Sequence, residues 1–147
     1  RISTLIKKNY NGQIPRGSFP GDKEQEIRDR SFELVKKFDE NMSSLSINEA
    51  IEETLQFVRG INRYFEHKAP WKLVKEDLES AGTVLYTGAE ALRICAILLS
   101  PIMPNRMKLL LSIINAESLD RTWGNLEPGK LMGEHKPLFP RINSKNM

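Results

Sequence analysis

The sequence predicts an all-α fold: a helical bundle of about five helices with an irregular C-terminal tail. Apolar residues recur at three- and four-residue spacing through most of the chain. Prolines and glycines fall between those stretches, and no convincing run of alternating apolar and polar residues marks a half-buried strand. With 147 residues, 39% hydrophobic and 28% charged, the chain suits one globular domain with a real core. The bundle is assigned to residues 1–142, and 143–147 to a polar tail or the start of a linker.

The first helix carries Ile2, Leu5, Ile6 and Tyr10 on its inner face and Arg1, Thr4, Lys8 and Asn11 on the other. Asn11-Gly12 ends it, and Pro15, Gly17, Pro20 and Gly21 form a loop. Asp22 is the expected N-cap of the second helix, whose stripe is Ile27, Leu34, Val35, Phe38, Met42 and Leu45. Ser46 and Glu49 have the spacing of a capping box for the third helix. There Ile47, Ile51, Leu55, Val58 and Phe65 line one stripe, and Ala50, Phe57, Ile61 and Tyr64 widen it. Gly60 is expected to let another helix approach closely, and Asn62 falls on the inner side. Pro70 stops this helix.

A short turn, Trp71 to Glu76, leads to a fourth helix with the stripe Ala81, Leu85, Gly88, Leu92, Cys95 and Leu99. It is apolar on most sides from Ala91 to Leu98, interrupted by Arg93, so it should be the most buried. Pro101 and Pro104 break it. A fifth helix starts near Pro104 with Met107, Leu110, Leu111 and Ile114 inward, and the pattern weakens after Asn115.

Several chemistries are poorly supported. Cys95 is the only cysteine, which rules out an internal disulfide; on an apolar stripe it reads as a buried, inert thiol. His67 and His135 form no metal-ligand spacing with it, and no carboxylate pair suggests acid–base catalysis. No catalytic or metal-ligating residue is therefore assigned. Gly124 to Lys130 spells the start of a phosphate-binding P-loop, but Leu131 replaces the magnesium-binding hydroxyl and Pro128 removes a backbone donor. The longest apolar run, Ile94 to Leu99, is too short to span a bilayer. The chain opens at Arg1 inside helical patterning and without a secretory signal, so a piece of a longer cytoplasmic protein is expected. The net charge of +3 is compatible with nucleic acid without requiring it.

Trp71 stands apart. After a helix-ending proline it either plugs the end of the bundle or offers a flat stacking surface, and residue type alone leaves both open. Arg59, Arg63, Lys68, Lys72 and Lys75 surround it in sequence, with His67 on the same corner. A solvated face is the plain alternative for the basic residues, and a buried inter-helix hydrogen bond is the alternative for Asn62.

At these residues the chain resembles the C-terminal anticodon-binding domain of bacterial methionyl-tRNA synthetase, a class I aminoacyl-tRNA synthetase. The resemblance rests on FVRGINRYFEHKAPWKLVKED (Phe57 to Asp77), ALRICAILLSPIMP (Ala91 to Pro104) and KPLFPRI (Lys136 to Ile142). It implies a bundle that reads the CAU anticodon loop of methionine tRNA. Trp71 would stack on the first anticodon base, a cytosine, with Pro70 shaping the corner. Arg1 matches a base-reading arginine, and the family's asparagine one turn earlier would lie upstream of this sequence. Lys8 falls on the same face, with His67, Lys72 and Asn62 as further RNA-binding candidates. The resemblance implies a parent ligase whose catalytic domain, in cis, uses ATP and magnesium. Its HIGH and KMSKS signatures and the zinc-binding insertion do not occur here, so this fragment is expected to need no cofactor and to be inactive alone. No membrane or DNA partner is implied. The alternatives are a helical protein-interaction module with a groove near Leu126 to Leu138, or an anticodon-binding domain of another class I synthetase.

Overall fold

The computed structural model describes residues 2–16, 21–116 and 119–129. Arg1, Lys130, His135, the KPLFPRI segment and the 142/143 boundary lie outside the described residues. Six helices are present among those described: α1 (Ile2–Asn9), α2 (Asp22–Ser43), α3 (Ile47–Lys68), α4 (Pro70–Glu76), α5 (Leu78–Leu99) and α6 (Pro104–Ile113). The all-α expectation holds, with one more helix than anticipated.

All five other helices pack against α5. That helix is long and apolar enough to cross a membrane, yet 83% of its apolar window is buried inside the bundle, which makes it the core helix. Its buried hydroxyls satisfy themselves: Thr87 Oγ1 donates to the Thr83 carbonyl at 2.8 Å. Asp77 caps α5, accepting from the Ser80 N–H at 3.2 Å and the Ser80 hydroxyl at 2.7 Å. α2 and α3 form a hairpin through Ser44–Ser46 and bring Leu34, Phe38, Phe57 and Ile61 onto α5 residues Ile94 and Leu98.

Several local expectations are corrected. The Trp71–Glu76 turn is a helix: Pro70 sits at its first position, where the missing N–H has no intrahelical partner to lose. Gly21, rather than Asp22, is the N-cap of α2. Ser46 does cap α3 in position, but its side chain makes no capping bond; its hydroxyl lies 3.3 Å from that of Ser44. Leu45 is 83% exposed because it forms the hairpin's left-handed joint, at φ 60°.

The inner face of α3 is Ala50, Thr54, Phe57, Ile61, Tyr64 and Phe65. Ile47 and Leu55 are exposed. Ala50, Phe57, Ile61, Tyr64 and Phe65 are inward as expected, and the buried face is centred on them rather than on the line through Ile47 and Leu55. Thr54 is the inward residue that the apolar pattern does not show. It counts as polar, but its hydroxyl donates to the Ala50 carbonyl at 2.9 Å and the residue is fully buried. Asn62 is consequently exposed, not inward. Gly60 makes no close helix contact either. A methyl group there would meet only an Arg63 guanidinium nitrogen, at 3.8 Å. Gly88 is the close-approach glycine: a methyl group would come within 2.1 Å of Phe65 Cζ and 3.1 Å of Ile2 Cδ1.

The stretch after α6 is pinned by buried polar groups that the sequence reading treated as an interruption. Arg93 and Glu90 are both fully buried. Arg93 Nε donates to Glu90 Oε1 at 2.8 Å, and Nη2 donates to the Thr122 carbonyl at 2.8 Å. Glu90 Oε2 accepts from the Leu126 N–H at 2.8 Å, and the Tyr86 hydroxyl donates to the Leu126 carbonyl at 2.6 Å. The Gly129 N–H donates to the Ile14 carbonyl at 2.7 Å. Two backbone donors of the P-loop-like stretch are thus committed to hydrogen bonds within the protein. Leu126 is 1% exposed, so it cannot line the protein-docking groove expected there.

Candidate nucleic-acid interface

The corner begins with the end of α3. Ala69 adopts a left-handed conformation, φ 47° and ψ 64°, and serves at once as the C-cap of α3 and the N-cap of α4. Its N–H donates to the Phe65 carbonyl at 2.8 Å, while its own carbonyl accepts from Lys72 and Leu73 at 2.9 and 3.1 Å. For a residue with a Cβ this conformation costs about 1–2 kcal/mol, and such strain persists where the surroundings enforce it. Here the enforcement comes from Pro70, which is buried, and from Leu73, which packs against the main core.

Trp71 is held directly after this joint and is half-buried. It is neither sealed inside the bundle nor fully out in water, and Leu73 is the α4 residue that joins the core. His67 and Lys72 on either side are exposed, as is Asn62.

The first helix is brought to the same region at both of its ends. Ile2 meets the Gly88–Phe65 contact, which sets the start of α1 beside the last turns of α3. At the other end, the Tyr10 hydroxyl donates to the Leu78 carbonyl, next to the α4–α5 junction, at 2.5 Å. Burial and the nearby Asp77 carboxylate raise the Tyr10 pKa. Lys7 and Lys8 are exposed in the last turn of α1, where cations favour the helix dipole. The described candidates thus lie on α1, α3 and α4, which converge around α5.

The remaining chemistry is quiet. Burial pushes the Cys95 thiol up to about 12, which keeps it protonated and inert. Among the described residues, no group of three or more His, Cys, Asp or Glu is placed to hold a metal ion.

The comparisons with known proteins bear on the family and the fold. Residues 14–145 match the family described as the anticodon binding domain of methionyl tRNA ligase. The methionine–tRNA ligase of Thermotoga maritima is 32% identical over 152 residues, covering 99% of this chain and 24% of that protein. The one from Streptomyces coelicolor is 33% identical over 161 residues, covering 99% and 30%. Among solved structures, methionyl-tRNA synthetase of Mycobacterium tuberculosis in its free state superposes with a TM-score of 0.88 at 24% identity, over 97% of this chain and 30% of that one. The same enzyme in complex with methionyl-adenylate gives 0.90 at 25% identity, over 96% and 29%. The chain spans less than a third of the length of these relatives. By both sequence and fold, it belongs to the family of anticodon-binding domains of methionyl tRNA ligase.

Proposed function

We propose that this chain reads the CAU anticodon loop of methionine tRNA for a methionine–tRNA ligase. The observation that carries the reading is the Ala69–Pro70–Trp71 joint, where a strained backbone and a buried proline hold a half-buried indole between two helices. A half-buried ring keeps a fixed orientation and still has a face to share with a base. The cytosine at the first anticodon position stacks on Trp71, Arg1 reads its edge, and Lys8, His67, Lys72 and Asn62 supply nearby contacts. ATP, magnesium and methionine belong to the parent's catalytic domain in cis; the chain alone does not aminoacylate. The setting is cytoplasmic, and neither DNA nor a membrane takes part.

The test is binding to a panel of anticodon stem-loop RNAs. A CAU loop should bind best, with affinity falling as salt rises. Trp71→Ala should cost roughly 1–3 kcal/mol of that binding, the value of one base–aromatic stack. Equal binding of all loops, or none, defeats the proposal, and unfolding of the Trp71→Ala protein would show the ring to be structural.

A further inference from the structure

A groove of about 380 Å³ lies between the start of α2 and the end of α3, beside the last turns before the Trp71 corner. Three cationic side chains line it, Lys23, Arg30 and Arg63, against one carboxylate, Glu26, with His67 also on the wall. Lys23 and Arg30 share that carboxylate, at 3.9 and 3.0 Å. Arg63 forms no ion pair among the described residues, and its guanidinium lies near Gly60, 3.8 Å from where a Cβ would stand. The floor is apolar, built from Ile27, Phe57, Ile61 and Tyr64. Such a floor excludes water from one side and strengthens the charges above it.

The spacing adds a direction. Lys23, Arg30 and Lys37 recur every seven residues on α2, so they share one face about two turns apart. Arg63 and His67 are four apart on α3. Farther from the corner the groove continues past Lys37, but there Glu33 and Glu53 join the lining and offset the cations. The positive surplus is therefore concentrated at the corner end. Arg63 lies six residues before Ala69, about 9 Å along the helix axis.

We propose that the corner end of this groove holds backbone phosphates of the same RNA whose loop meets Trp71, with Arg63 and Arg30 as the phosphate ligands. This rests on the RNA-binding reading above and extends it from the loop bases to the adjoining backbone. Phosphate contacts position an RNA without reading its sequence. Arg30 and Arg63 therefore contribute equally to cognate and non-cognate loops, unlike Trp71.

The experiment measures binding of stem-loop RNAs carrying CAU and altered anticodons to this 147-residue chain across a salt series. Arg63→Gln and Arg30→Gln should each weaken all loops by a similar factor, roughly 3- to 10-fold, and lower the salt slope by about one. Glu26→Gln should do the reverse, tightening binding and steepening the slope, an outcome that damage to the fold would not mimic. Circular dichroism confirms that each variant is folded. If the CAU preference depends on Trp71 while Arg63→Gln, Arg30→Gln and Glu26→Gln all bind RNA as wild type, the groove proposal is overturned and the anticodon reading stands. If the groove variants shift affinity and slope while the anticodon and Trp71 make no difference, the groove proposal stands and the anticodon reading falls. Unchanged RNA binding together with lost binding of a glutamate-rich peptide overturns the proposal and gives the groove a protein partner.

Discussion

Glu90 and Arg93 lie three residues apart on α5 with neither side chain exposed to solvent, and between them they hold the chain segment that follows α6. A buried pair of this kind contributes little net stability when intact, because desolvation offsets attraction. Its importance appears when one partner is removed.

Arg93→Ala would leave the Glu90 carboxylate buried without its countercharge and strip a donor from the Thr122 carbonyl. The expected loss is about 3–5 kcal/mol. Glu90→Leu combined with Arg93→Met should cost less than the sum of the single changes, since the double variant buries no lone charge. Urea unfolding of the wild type, Glu90→Leu, Arg93→Met and the double variant measures the coupling, and a loss below about 1 kcal/mol for Arg93→Ala, measured beside them, would show that water replaces the clamp.

Two glycines should respond in opposite ways. Gly88→Ala places a methyl group against Phe65 and Ile2, so α3 or α1 must move off α5, and overpacking of this kind costs about 1–3 kcal/mol. Gly60→Ala meets only the flexible end of Arg63, and removing a mid-helix glycine should stabilise by about 0.5–1 kcal/mol. Thermal melting of the two variants checks the signs.

Stability should fall away on both sides of neutral pH. Hydrogen bonds from the Ser80 side chain and backbone hold the Asp77 carboxyl below its usual range, and those from Thr122 do the same for Asp120. Groups with lowered folded values stabilise above their unfolded pKa and lose that contribution as pH falls through the folded value. On the alkaline side burial pushes Cys95 and Tyr86 up to about 12, with the Glu90 carboxylate adding to the shift of Tyr86, and raises Tyr64 as well. These groups are neutral in both states below about pH 8, and their contribution falls as pH rises past the unfolded values and is lost through the folded ones. Urea midpoints at stepped pH should trace both limbs. Asp77→Asn should flatten the acid one, and Cys95 should resist thiol reagents at pH 8 until the protein unfolds.

The helices were legible because their apolar spacing and prolines are local signals. The α3 face was legible in Ala50, Phe57, Ile61, Tyr64 and Phe65, but its centre was set too far toward Ile47 and Leu55, because Thr54 behaves as a small apolar residue once its hydroxyl bonds to its own helix. α4 was missed because a proline that ends one helix can also begin the next, and here it does both across a single left-handed alanine. The Glu90–Arg93 clamp had a sequence trace, opposite charges three apart in an otherwise apolar helix. Its target, the Thr122–Leu126 segment, is a tertiary contact that no local pattern encodes. At the corner, Pro70 and Trp71 could be read from the sequence, while the exposure of Asn62 depended on the facing of α3.

The left-handed Ala69 offers the most direct test of how the corner is held. Ala69→Gly removes strain of about 1–2 kcal/mol but adds freedom to the unfolded chain, worth about 0.5–1 kcal/mol. The net effect should be a stabilisation of no more than about 1 kcal/mol. Ala69→Val should destabilise instead, because a β-branched residue fits this backbone region poorly. If the strained joint orients Trp71 for stacking, Ala69→Gly should weaken CAU stem-loop binding several-fold even though the protein melts no lower. Parallel measurement of the melting temperature and stem-loop affinity separates the two effects, and a glycine variant that binds as tightly as wild type would show that Pro70 alone fixes the corner.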